Sequence, residues 1–94
     1  MIDVTQTGNA DPLKFDVRVS EGNGETRHQV TMAQENFKRL TLGKCAPDRC
    51  IEAAFRFLLD REPKESILTR FDVSVISRHF PEFEEELPRY IAQG

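Results

Sequence analysis

Apolar and polar residues alternate strictly along Lys14 to Ser20, KFDVRVS, where Phe15, Val17 and Val19 are separated by charged residues. Such a period of two is the signature of a strand with one buried face, and ETRHQVTM, Glu25 to Met32, supplies a second. Between them lies EGNG, and a two-residue turn at Asn23-Gly24 suits a type I′ hairpin because both residues tolerate positive φ. That turn sets Val19 opposite His28, Val17 opposite Val30 and Phe15 opposite Met32. It also keeps Arg18 away from Arg27, which a longer loop would place face to face. Ile2 and Val4 are available for a third strand, which a hairpin needs for independent stability.

Beyond Met32 the period changes to that of helices. Thr31 stands three residues before Gln34, as in a capping box, and Ala33, Phe37 and Leu40 follow at helical spacing with Gly43 as a stop. Pro47 and Asp48 open a second helix whose Ile51, Ala54, Phe55 and Leu58 share a face widened by Cys50, Phe57 and Leu59, as expected of a central helix. Pro63 ends it. KESILTRF reads as a short helix burying Ile67, Leu68 and Phe71, with Asp72 capping the next. In VSVISRHF the β-branched Val73, Val75 and Ile76 favour a strand, whereas the spacing of Ile76 and Phe80 favours a helix, the reading adopted for 73–80. Pro81 starts a further turn and Pro88 interrupts or kinks the last helix before Tyr90 and Ile91.

Strands first and helices after predict an α+β fold. An N-terminal β-hairpin, extended by a third strand if Ile2 and Val4 join it, packs against three to four short helices. Residues 1–94 form one small globular domain around Phe15, Val17, Val30, Phe37, Ile51, Phe55, Leu58, Ile67, Leu68 and Ile76.

GNGETRHQVT, AAFRFLLDREPKESIL and FDVSVISRHFPEFEEEL together resemble small bacterial proteins of unknown function, a likeness spanning nearly the whole chain. The resemblance implies a bacterial protein and brings no activity or site residue with it. With no basic leader ahead of an apolar stretch in MIDVTQTGNADP and no long apolar run, the expected location is cytoplasmic, with no membrane contact.

Charge narrows the function classes. Residues 1–46 and 47–80 each carry six acids and six bases, so the net charge of -3 arises wholly in the tail, where Glu82, Glu84, Glu85 and Glu86 face Arg89 alone. A polyphosphate ligand calls for a basic stripe, which makes nucleic acid an unfavoured partner. The alternative reading is a degenerate helix-turn-helix at 64–80, with KESILTRF as first helix and Arg70, Ser74, Ser77, Arg78 and His79 presented to phosphates or base edges.

No catalytic set, cofactor motif or complete metal site is legible. Cys45 and Cys50, spaced CxxxxC, lack two further zinc ligands, although Cys45 stands just ahead of a helix start, where a thiolate is favoured. His28 belongs to the apolar face of the hairpin, and the glutamates make a solvated acidic face without a calcium loop. The expected function is therefore that of a non-enzymatic protein-interaction or adaptor domain. Its helical C-terminal part would contact another protein through Arg70, Arg78, His79, Phe83 and Tyr90, as a monomer or homodimer.

Overall fold

The computed structural model describes residues 1–22 and 24–93. The alternating segments form β2 (Leu13–Glu21) and β3 (Gly24–Met32), paired antiparallel, with β1 (Ile2–Gly8) antiparallel along the far side of β2. Leu13, Phe15, Val17, Val19, Val30 and Met32 are buried, while the intervening polar residues face water, as in a sheet covered on one side. Ile2 and Val4 do supply the third strand. A fourth, β4 (Arg70–Asp72), lies parallel to β3 and gives the order β1-β2-β3-β4.

The hairpin register differs by two residues from the expected one. Val17 lies opposite His28, Phe15 opposite Val30, Leu13 opposite Met32 and Arg18 opposite Arg27. A shift of two leaves every side chain on its expected face, so the buried set is unchanged. Glu21 pairs with Gly24, so Gly24 belongs to β3 and the positive φ, 59°, falls at Gly22 instead. Asn23, the other half of the expected turn, lies outside the described residues. The like-charged arginines are tolerated because Asp3 of β1 holds Arg18 at 2.9 Å and Glu25 lies 3.9 Å from Arg18 and 3.1 Å from Arg27. A hairpin considered alone lacks Asp3, and the shifted register adds the Leu13–Met32 apolar pair.

The first helix, α1 (Gln34–Thr41), forms where expected but with a different cap. Thr31 remains in β3, and the Gln34 N–H donates to the Asp11 carboxylate at 3.1 Å, so a loop 23 residues upstream satisfies the exposed helix end. At the other end Leu42 and Gly43 take left-handed φ of 52° and 75°. Next comes α2 (Pro47–Leu59), with Pro47 in its first turn and Cys50, Ile51, Ala53, Ala54, Phe55, Phe57 and Leu58 buried. It is central, flanked by the sheet and by α4 (Phe83–Gln93), and α4 runs through Pro88 without a break in the helix.

The largest departure lies in KESILTRF. Only Lys64–Ser66 forms a single 3-10 turn. The chain then extends into β4 and enters α3 (Ser74–His79), so no first helix of a helix-turn-helix exists at 64–80. The free edge of β3 decides this. Gln29 N–H donates to Thr69 O at 2.8 Å, Val73 N–H to Thr31 O at 2.9 Å, and the Thr31 hydroxyl to Asp72 at 2.6 Å. These long-range bonds satisfy backbone groups that a local helix would have left unpaired on β3. Asp72 also accepts from the Ser74 N–H at 3.0 Å, so it assists the start of α3 as anticipated. Residues 74–79 are helical, whereas Leu68 is 54% exposed and Phe37 only half-buried, so neither is a core residue.

Asp72 makes this junction acid-sensitive. Burial pulls its carboxyl upward, but the bonds from Thr31 and Ser74 and the charge of Arg78 outweigh burial and hold it below its ordinary value. A carboxyl depressed in the folded state stabilises the fold above its unfolded pKa of about 3.9, and that contribution is lost as pH falls through the folded value. Melting temperatures recorded from about pH 6 to about pH 3 should therefore fall less steeply for Asp72→Asn than for wild type. Parallel slopes would remove Asp72 from the acid response.

Candidate functional site: a groove beside the crossover

The crossover from α2 to β4 is held from below by His28. Its Nδ1 lies 2.7 Å from the Leu68 carbonyl and its Nε2 2.9 Å from the Thr26 hydroxyl. A carbonyl only accepts, so Nδ1 carries hydrogen, and in the neutral ring the Thr26 hydroxyl donates to Nε2. The ring is 2% exposed and stands 5.3 Å from that of Phe55. Both nitrogens are thus used structurally, in keeping with a packed histidine.

Because this bond fixes the Leu68 backbone while its neighbour Ile67 turns into the core, the Leu68 side chain points outward. It lines a groove of about 330 Å³ together with Val75 and Phe80 of the α3 segment. The buried Ile67, Phe71 and Ile76 line it as well, and Glu62, Ser66 and His79 are its polar residues. Among the described residues Glu62 has no ion-pair partner.

A larger depression, about 660 Å³, lies on the solvent face of the sheet between Asp3, Asp16, Arg18, Arg27, Gln29 and Arg70. Its charges are mixed, Arg18 and Arg27 are engaged by Asp3 and Glu25, and its lining residues include no Phe or Tyr, while the ring of His28 is buried. A sheet that binds single-stranded nucleic acid needs stacking rings on that face. The smaller, apolar groove is therefore the better candidate.

The five expected contact residues do not converge. His79 borders the groove, Arg78 is exposed on α3, and Arg70 points to the opposite, polar face of the sheet. Phe83 is a correction: at 0% exposure, 5.0 Å from Phe57 ring to ring, it is a core residue and has no surface to offer. Tyr90 is half-buried, edge-on to Phe57 at 5.8 Å, and its hydroxyl donates to Asp60 at 2.5 Å.

The acidic tail is solvated but partly paired: of its four glutamates Glu85 alone has no ion pair among the described residues. Glu82 binds Arg61 at 3.1 Å, Glu84 binds Arg39 of α1 and the Ser77 hydroxyl, and Glu86 lies 3.5 Å from Arg89. The Glu82 carboxyl is lowered by its own backbone N–H and by Arg61, and that of Glu84 by Arg39. Arg61, overlooked in the sequence, also stacks 3.7 Å over Phe57 and reaches the Phe57 carbonyl at 3.2 Å, locking α4 to the end of α2.

The thiols offer little chemistry. Burial pushes Cys50 up to about 12, and its Sγ rests 3.9 Å from the sulfur of Met32. Cys45 is also raised, by partial burial first, which the charge of Arg49 fails to offset. Among the described residues no group of three or more His, Cys, Asp or Glu is placed to hold a metal ion, and no helix is long and apolar enough to cross a membrane. Comparison with protein-family models, with curated proteins and with solved structures gave no match to the chain.

Proposed function

We propose that this chain is a small non-enzymatic protein-interaction domain whose contact surface is the groove between the Ile67–Leu68 crossover and α3. The observation that carries this reading is Leu68, 54% exposed in a groove that Val75 and Phe80 also line. With its carbonyl bonded to a buried histidine, Leu68 presents an exposed apolar side chain, and a partner that covers it removes that surface from water. Glu62, with no ion pair of its own among the described residues, gives the groove an acidic margin, so the fitting partner is an apolar segment of another protein with a Lys or Arg beside it.

Affinity capture from native extract tests this with three baits: wild type, Leu68→Glu and Arg70→Glu. The expected outcome is a defined protein captured by wild type and by Arg70→Glu, and depleted at least tenfold with Leu68→Glu. Equal capture by all three baits would place the contact elsewhere.

A further inference from the structure

The first strand carries a second surface, independent of the groove. Met1 and Ser20 exchange two backbone bonds, N to O at 2.6 Å and O to N at 2.8 Å, so they form a narrow antiparallel pair. Narrow and wide pairs alternate, so Asp3 and Thr5 also direct their N–H and C=O groups inward to β2. Ile2, Val4 and Gln6 must then direct theirs to the free side of β1. None of these backbone groups has a partner among the described residues.

An open edge of this kind is a template for another strand, and proteins that avoid pairing guard it with Lys, Pro, bulges or exposed charge. The stretch Ile2–Gln6 has no Lys, Pro or Gly, its single charge, Asp3, is held by Arg18 at 2.9 Å, and the register shift comes only after Gln6. At the opposite edge β4 is three residues long and carries Arg70 and Asp72.

We propose that β1 pairs antiparallel with β1 of a second copy, across a two-fold axis at Val4. With the even residues facing outward, this register makes Val4–Val4′, Ile2–Gln6′ and Gln6–Ile2′ narrow pairs and so uses every free backbone donor and acceptor from Ile2 to Gln6 on both strands. On the core side the half-buried Val4 meets its own copy and Ile2 meets Gln6′. On the solvent side Asp3 lies opposite Thr5′, whose hydroxyl can donate to it. No like charges face each other. This self-complementarity selects a second copy over an unrelated strand. The contact is smaller than the standard interfaces whose affinities run from micromolar to picomolar, so half-dimerisation belongs above the micromolar range, at roughly 100 μM.

Sedimentation analysis of the full chain reads the equilibrium directly. Val4→Pro and Gln6→Pro each delete an outward N–H without touching the β1–β2 ladder, a position where an edge strand accepts proline. Each should raise the midpoint concentration at least tenfold while the melting transition persists. The register has its own readout in otherwise wild-type protein, since Asp3→Cys and Thr5→Cys would sit opposite each other as a wide pair within disulfide reach. Mild oxidation of the two variants mixed should give the 3–5′ disulfide by mass spectrometry, and neither variant alone should cross-link through its new cysteine. The proposal is overturned by a wild type that stays monomeric up to about 1 mM, ten times the expected midpoint. Dimerisation that both proline variants leave unchanged, or no 3–5′ disulfide in the mixture, would overturn it equally.

Discussion

Phe57→Ala is expected to lower the unfolding free energy by about 3–5 kcal/mol, the range for removing a buried aromatic side chain. The ring is 0% exposed and is met edge-on by Phe80, Phe83 and Tyr90 at 5.8, 5.0 and 5.8 Å between centroids. It also carries the Arg61 guanidinium 3.7 Å above its centre, and Arg61 in turn holds Glu82. Removing it takes away both the aromatic seam between α2 and α4 and the platform for that cation. A small domain has about 5–15 kcal/mol in total, so urea denaturation should show a much lower midpoint and a protein close to the limit of folding. Phe57→Leu, which keeps much of the volume, should recover most of the loss. A cost below about 1 kcal/mol for the alanine variant, the size of an ordinary surface change, would mean that α4 is not anchored at this seam.

His28→Ala should cost about 2–4 kcal/mol, combining the cavity beside Phe55 with the loss of a donor to the Leu68 carbonyl. The second part can be isolated. His28→Phe keeps a ring at the 5.3 Å contact with Phe55 but cannot donate to Leu68 O, and it should still cost about 1–3 kcal/mol. Hydrogen exchange gives a local reading of the same event. Freed from His28, the crossover should open more often, and the Gln29 amide, bonded to Thr69 O at 2.8 Å, should exchange faster than amides in the β1–β2 ladder. Equal acceleration in both places would mean that His28 supports the whole sheet and not the crossover in particular.

Much of the fold was legible because most of it is locally encoded. Alternation in β2 and β3, and the wide apolar arc of α2 behind Pro47, need no knowledge of distant residues. The failures share a cause, which is long-range pairing. Arg18 sits opposite Arg27 because Asp3 arrives from another strand, α1 is capped by Asp11, and Arg70–Asp72 is extended because β3 has a free edge. A helix-period reading of KESILTRF buries both Ile67 and Leu68. Adjacent residues of an extended chain point to opposite sides, so recognising the strand would have exposed one of them. The same reasoning explains the site: polar neighbours mark His79 as exposed, a helical period assigns Leu68 to the core, and the charges around Phe83 suggest a surface ring although it completes the seam on Phe57.

On the proposed reading the chain meets its partner through Leu68 and the groove beside it, and not through the polar face of the sheet. A photo-crosslinking amino acid placed at position 68, and separately at position 29 on the solvent face, measures this in native extract. Covalent adducts to one protein from position 68, with none from position 29, are the expected result. Adducts from position 29 alone would contradict it and move the contact to the face bearing Arg27 and Arg70.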